Sequence, residues 1–162
     1  MTSPATPAAR WGALAGLLLL CQASGGIAAL ITVPAVNGWY RTLVQPAITP
    51  PDGVFAPVWT LLYLAMAVAA WRAWTREGFR WDSRALRLFG FQLLLNFAWS
   101  FLFFGAHWIG AATLEIAALW LAVAATTRCF LALDRTAGLL MLPYLAWVSF
   151  AALLCAGFWV LN

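Results

Sequence analysis

Five long apolar runs separated by short polar breaks dominate this chain of 162 residues. They cover about residues 11–33, 57–75, 85–105, 109–131 and 137–161. Each run is close to or longer than the ~20 residues that a helix needs to cross a bilayer. Only 9% of all residues are charged, whereas soluble domains have about 25%. We therefore predict an all-α integral membrane protein, with residues 1–10 as a flexible N-terminus and residues 11–162 as one bundle of five transmembrane helices.

The first apolar run has a competing interpretation as a secretory signal peptide. Arg10 precedes a leucine-rich core, and small residues follow it, as in such peptides. The apolar character nevertheless continues to Val33, which makes the run long enough to span a membrane. We therefore predict a retained helix here.

The distribution of arginine predicts an orientation in the membrane. The chain has no lysine, and with five spans its N-terminus and the polar breaks at 76–84 and 132–138 fall on one side. Every arginine except Arg41 lies on or near that side. The positive-inside rule then places the N-terminus in the cytoplasm and the loop after the first span outside. Because the arginines flank apolar runs, we expect the lipid bilayer as their partner and no nucleic acid.

The loop between the first two spans, residues 34–56, is rich in proline and carries two adjacent aromatic residues, Trp39 and Tyr40. Pro46 and Pro51 are among the prolines that stiffen it, because each ring fixes φ and removes a backbone donor. The residue before each proline is also held out of the helical region. We predict that this loop is the lid of a ligand cavity whose walls come from the rest of the chain.

Asn96 lies midway along the third span, where a polar side chain is costly and therefore informative. Helical spacing places it on one face with Trp99, Ser100 and Phe103. Its amide could be a hydrogen-bond donor for a ligand. It could equally form a helix–helix hydrogen bond that only packs the bundle. The sequence leaves both interpretations open.

Aromatic residues deep in the second and fifth spans complete the predicted cavity. Trp59 and Tyr63 are one helical turn apart, and Tyr144, Trp147 and Ala151 share a face. Tryptophan often belongs to the belts at the two membrane surfaces. A deep indole, however, needs a partner for its N–H or a ligand to lie against, and Ala151 would leave room beside Trp147. The set suits a flat, mostly apolar ligand.

Catalytic and metal-binding patterns are weak. His107 is the only histidine, which excludes a site with several histidines and leaves open only a single-histidine haem ligand. The three cysteines lie in apolar runs without a CxxC pair, so we predict no metal site there. Glu115 is a carboxylate inside the fourth span whose role the sequence does not decide. We predict no catalytic residues and no obligatory cofactor.

Several motifs in order resemble one known family. They are WYRTLVQPAITPP followed by PVWTLLY, then NFAWSFLFF, then LMLPYLAW closing on FAALL. Together they resemble the TspO/MBR family, the tryptophan-rich sensory proteins and mitochondrial translocator (peripheral benzodiazepine receptor) proteins, over about residues 12–162. The resemblance implies a five-helix bundle, a homodimer, and a cavity for porphyrins, other haem-like tetrapyrroles and benzodiazepine-type ligands.

The resemblance also implies roles for individual residues. It matches Trp39 and Tyr40 to the lid pair, and Glu115 to an acidic residue often found in the fourth helix. With the deep polar and aromatic residues, the predicted ligand-binding set is Trp39, Tyr40, Pro46, Pro51, Trp59, Tyr63, Asn96, Trp99, Phe103, Tyr144, Trp147 and Ala151.

Three departures from the family pattern narrow the expected function. Ile48 stands where a loop tryptophan is common, which weakens the case for tryptophan-dependent porphyrin breakdown. Cys155 stands where an asparagine is common, which removes a hydrogen-bonding group. No Lys or Arg follows Tyr144, so we do not expect sterol recognition. We predict a membrane receptor or sensor for a tetrapyrrole. The alternatives are a porphyrin-degrading enzyme and a transporter of tetrapyrroles or other small lipophilic molecules.

Overall fold

A computed structural model describes residues 6–162, and it forms five helices without any strand in that range. The helices are α1 (Pro7–Asn37), α2 (Phe55–Arg76), α3 (Arg84–Ser100), α4 (Ile109–Leu133) and α5 (Arg135–Leu161). All five are long and apolar enough to cross a membrane when α3 is taken with the turn that continues it to Gly105. The prediction of a five-helix integral membrane bundle is confirmed.

The helices pack as a closed ring. α1 contacts α2 and α3, α2 also contacts α5, α5 packs most extensively on α4, and α4 contacts α3. The order around the ring is therefore α1, α2, α5, α4, α3. Short connections after α2, α3 and α4 make consecutive helices antiparallel, so the lid connection lies at one end and the arginine-rich connections at the other.

α1 is longer than predicted at both ends. It begins at Pro7, because the Thr6 hydroxyl caps it by accepting the Ala9 N–H at 3.3 Å and proline is compatible with the first turn. Residues 1–5 of the predicted flexible N-terminus lie outside the described residues. At its other end α1 continues through Pro34, which membrane helices tolerate. The lid connection is therefore 38–54, shorter than the predicted 34–56.

Two arginines of α2 hold the start of α5. The Asp134 carboxylate accepts a bidentate pair of hydrogen bonds from Arg72 at 3.0 Å, and its Oδ2 also accepts two from Arg76 at 3.0–3.1 Å. Its Oδ1 caps α5 by accepting the Ala137 N–H at 2.9 Å. The hydrogen bonds from Arg72 and from Ala137 hold the pKa of Asp134 well below its usual range. Asp134 therefore fixes the arginine-rich end of the bundle.

A widened helical turn follows α3, where the sequence predicted an unbroken helix. Over Phe101–Gly105 the backbone forms a π-helical turn, with the Ala106 N–H bonded to the Phe101 carbonyl at 2.8 Å. His107 then adopts a left-handed φ of 58°, a region that histidine enters more readily than most residues. π-turns are frequent at functional sites, and this one lies directly beneath the lid.

Candidate ligand cavity

A cavity of about 460 Å³ lies inside the ring, at the lid end. Four helices and the lid contribute to its wall, and most of the contributed side chains are apolar or aromatic. Its lining residues are Gln22, Gly25, Gly26, Ala28, Ala29, Thr32, Val33, Val36, Asn37, Tyr40, Asp52, Phe55, Ala56, Trp59, Thr60, Tyr63, Trp99, Ser100, Phe103, Phe104, Trp147, Ala151, Leu154, Cys155 and Phe158.

The structure brings seven of the predicted site residues to this wall. Trp59 and Tyr63 lie on one side with their ring centroids 5.5 Å apart. Phe55 meets Trp147 edge to face at 5.9 Å, so α2 and α5 form one continuous aromatic surface. The seven are Tyr40, Trp59, Tyr63, Trp99, Phe103, Trp147 and Ala151.

Asn96 is not on the wall. Its Oδ1 accepts the Tyr63 hydroxyl at 2.6 Å, and its Nδ2 donates to the Tyr144 hydroxyl at 3.2 Å. Asn96 and Tyr144 are both almost completely buried. Of the two interpretations of this amide, the structure shows the helix–helix hydrogen bond. Asn96 and Tyr144 do not line the cavity, but Asn96 holds the hydroxyl group of Tyr63, which does.

The first part of the lid is anchored by aromatic packing. Tyr40 is 5% exposed, and its ring lies 5.3 Å from that of Phe158 and 5.9 Å from that of Phe104. Trp39 stacks on His107 with ring centroids 4.0 Å apart, just outside the cavity wall. Tyr40 therefore covers the cavity directly, whereas Trp39 rests on the turn after α3.

The two predicted lid prolines do not line the cavity either. Pro46 lies against α5 at Gly157, where an added Cβ would come within 2.8 Å of the Pro46 Cγ. Pro51 is exposed and starts a single 3₁₀ turn, Asp52–Val54, that leads into α2. Neither proline is among the residues that line the cavity.

Sequence reasoning missed the α1 side of the cavity. Gly25 approaches Tyr63 so closely that an added Cβ would lie 2.5 Å from the Tyr63 ring. Gly26, Ala29 and Val33 continue this wall and are exposed. The adjacent glycines were the available signal, because small residues mark close approach between membrane helices.

Three side chains have buried polar atoms for which no hydrogen-bond partner is found among residues 6–162. They are the amide of Gln92, the indole Nε1 of Trp99 and both carboxylate oxygens of Glu115. Trp99 lines the cavity, whereas Gln92 and Glu115 do not. Unsatisfied buried polar groups are rare and call for an explanation. The Trp99 Nε1 has the Cys155 sulfur, a weak acceptor, beside it, and a stronger acceptor on a bound ligand could replace it.

The cavity wall carries little charge. Asp52, at the lid, is the only Asp, Glu, Lys or Arg among the described residues that line it. Within the same part of the chain, no group of three or more His, Cys, Asp or Glu side chains is placed to hold a metal ion. The arrangement can stack an apolar ring system and offer it isolated hydrogen-bonding groups.

Comparison with known proteins decides the family. The sequence model of the TspO/MBR family matches residues 17–160. This chain belongs to the TspO/MBR family. The resemblance inferred from the motifs is thereby confirmed.

Relatives in the TspO/MBR family come from archaea, bacteria and animals. The tryptophan-rich protein TspO of Archaeoglobus fulgidus is 39% identical over 92% of this chain and 96% of its own length. The tryptophan-rich sensory protein of Cereibacter sphaeroides is 36% identical over 87% and 85%. The translocator protein of Bos taurus is 34% identical over 94% and 91%. The chain therefore covers 85% or more of the length of each of these TspO/MBR proteins.

Proposed function

We propose that this chain is a membrane receptor that binds a flat, mostly apolar ligand of the tetrapyrrole class in the cavity beneath its lid. The observation that carries the proposal is the aromatic cavity of about 460 Å³ lined by four helices and the lid. That volume lies within the roughly 300–1,000 Å³ usual for small-molecule sites. A structural bundle whose aromatics only pack would fill this space with side chains.

The arrangement of indoles supports a planar ligand. Trp59 and Trp147 present aromatic surface from α2 and α5, and Trp99 does so from α3. Offset or edge-to-face contacts with a flat ring system would add to simple burial. The Trp99 Nε1 has only a weak acceptor, the Cys155 sulfur, beside it, which suggests a ligand that carries an acceptor at this part of the wall.

The lid gives the receptor a part that can respond to occupancy. Tyr40 roofs the cavity and Asp52 stands at its rim, so a ligand would contact both the anchored and the exposed part of the lid. A ligand that binds the closed lid better than the open lid would shift the population toward closure. We propose that this closure is the sensing event.

We also propose the orientation inferred from the arginines. Arg10, Arg72, Arg76 and Arg135 lie at the helix ends opposite the lid, and Arg41 lies at the lid end. The positive-inside rule places the arginine-rich end in the cytoplasm and the lid outside. Labelling of an added cysteine at exposed Ile48 by a membrane-impermeant maleimide in intact cells tests this. Labelling only after lysis contradicts it.

Ligand binding is tested by titrating protoporphyrin IX into the protein in lipid nanodiscs and following tryptophan fluorescence. We expect saturable quenching, with the Kd raised about tenfold in Trp147→Ala, because a stacking surface is lost. Trp159→Ala is the matched control, since Trp159 lies on the same helix but is 53% exposed and away from the cavity. Equal Kd values for the wild type and Trp147→Ala would reject this site.

A further inference from the structure

The lid is held unevenly along its length. Residues 39–46, the anchored half, include Trp39, Tyr40 and Leu43, which pack on the hydrophobic core. Residues 47–54, the free half, are mostly exposed. Their hydrogen bonds stay within the lid, from Thr49 to the Pro46 carbonyl and from the Val54 N–H to the Pro51 carbonyl. The length of lid that can move therefore depends on the contacts that hold residues 44–46, where the anchored half meets the free half.

Asn162 holds that end through its amide. Its Oδ1 accepts the Val44 N–H at 2.9 Å, and its Nδ2 donates to the Val44 carbonyl at 3.1 Å and to the Phe158 carbonyl at 3.0 Å. A backbone N–H only donates and a carbonyl only accepts, so the Val44 pairing fixes the orientation of the amide. The side chain thus joins the last turn of α5 to the lid.

Gly157 adds a second attachment one turn earlier. Its missing side chain leaves the space in which Pro46 lies, and an added Cβ would approach the Pro46 Cγ to 2.8 Å and its Cβ to 3.2 Å. The two attachments are independent, because one is a pair of hydrogen bonds and the other is a steric fit. They act on lid positions only two residues apart.

We propose that Asn162 and Gly157 form a latch that holds Val44 and Pro46 against α5 and sets how fast the lid opens. Val44 is 57% exposed, and Asn162 is exposed too, so water can replace the latch bonds when they break. Such bonds restrain the lid without locking it. With the latch open, the moving segment would extend from the free half back to Leu43. Asn162 and Gly157 are positioning residues, since neither contacts the cavity centre.

The latch is tested without any ligand by hydrogen–deuterium exchange in nanodiscs. In Asn162→Ala the Val44 amide loses its acceptor, and we expect its exchange to accelerate about tenfold. Val160→Ala is the matched control, since Val160 lies on the same turn of α5 and is 83% exposed. Exchange in α2 should stay unchanged in both variants. Unaltered exchange at Val44 in Asn162→Ala would overturn the latch.

Gly157→Ala tests the second attachment by a route that leaves Asn162 intact. Alanine favours a helix over glycine, so the substitution alone should strengthen α5. Faster exchange in residues 43–49 would therefore come from the displaced Pro46. Exchange in the lid that is unchanged or slower would show that Pro46 does not depend on the space at Gly157, and would reduce the latch to Asn162.

The effect on ligand entry rests on the proposed function, and stopped-flow mixing with protoporphyrin IX tests it separately. Because the proposed ligand favours the closed lid, removing the latch should raise the dissociation rate about tenfold and raise the Kd with it. Unchanged rates in Asn162→Ala would show that the latch does not gate the cavity. If the wild type binds no porphyrin, the proposed ligand class is rejected. The latch is then still tested by the exchange measurements, which use no ligand.

Discussion

The Tyr63 hydroxyl donates a 2.6 Å hydrogen bond to the Asn96 Oδ1 inside the bundle, where Tyr63 is 5% and Asn96 2% exposed. Asn96 continues the connection to the Tyr144 hydroxyl on α5. Three helices are thus linked by polar side chains in an apolar setting, where water does not compete for the bonds. The linkage fixes the angle of Tyr63 and with it one wall of the cavity.

Removing Asn96 should destabilise the bundle. Asn96→Leu leaves the Tyr63 hydroxyl without its acceptor and the Tyr144 hydroxyl without its donor, and we expect a loss of about 1–3 kcal/mol. The measurement is thermal or denaturant unfolding in detergent, followed by circular dichroism. A variant as stable as the wild type would show that the triad contributes no net stability.

Gln92, on the same helix, is a control for which substitution by leucine should have the opposite effect on stability. It lies one turn before Asn96 and is fully buried, yet its amide has no hydrogen-bond partner among residues 6–162. Gln92→Leu removes an unsatisfied polar group, so we expect unchanged or increased stability. A loss as large as that of Asn96→Leu would indicate a buried water or another partner at Gln92.

Adding a methyl group at Gly25 should disturb the cavity through Tyr63. The new Cβ would meet the Tyr63 ring at 2.5 Å, so α1 or the ring must move, at a cost of about 1–3 kcal/mol. Gly26→Ala is the matched control, because nothing lies within 4 Å of its added Cβ. Unfolding midpoints and tryptophan emission should change in Gly25→Ala only. Equal effects at both positions would contradict the close approach of α1.

Asp134 should make stability depend on acid pH. Its pKa in the folded protein is lowered by Arg72 and Ala137, so its contribution is complete above the unfolded-state pKa of about 3.9 and is lost as the pH falls below it. Asp134→Asn keeps a capping side chain but loses the ion pairs, which should remove this component. Unfolding midpoints between pH 3 and pH 7 test it, and equal acid sensitivity in both proteins would contradict it.

Asp52 should disfavour anionic ligands. It is the only charged group among the described cavity-lining residues, and it would repel the carboxylates of protoporphyrin if they lay near the lid. Asp52→Asn should then lower the Kd for protoporphyrin about two- to fivefold at low salt, with a smaller change at high salt. A neutral porphyrin ester should bind both proteins equally. A preference of the wild type for the dicarboxylate would place those carboxylates away from Asp52.

The spans and the aromatic wall could be predicted because each rests on local signals. Apolar run length locates a membrane helix to within a few residues, and i, i+4 spacing places Trp59 beside Tyr63. The first span was predicted to end at residue 33, but α1 continues through Pro34 to Asn37, since membrane helices tolerate proline. The π-turn at Phe101–Gly105 had no local signal at all.

The position of Asn96 could not be predicted, because an amide's own place on a helix does not tell which neighbour it will meet. A ligand or the two tyrosines would satisfy it equally, and only the packing of α2 and α5 against α3 decides for the tyrosines. The α1 wall was missed for a related reason. Gly25 and Gly26 shape the cavity because they have no side chain. Patterns of polar and aromatic residues in the sequence therefore do not reveal them.

The widened turn after α3 holds one residue more than an α-helix would need there. Taking out a single residue from Phe101–Gly105 would let ordinary α-helical hydrogen bonds close, while rotating everything beyond it by about 100° about the helix axis. His107 would then turn away from Trp39, and the lid would lose its platform although the helix had gained regularity. In this part of the chain, a more regular helix would leave the lid with less support.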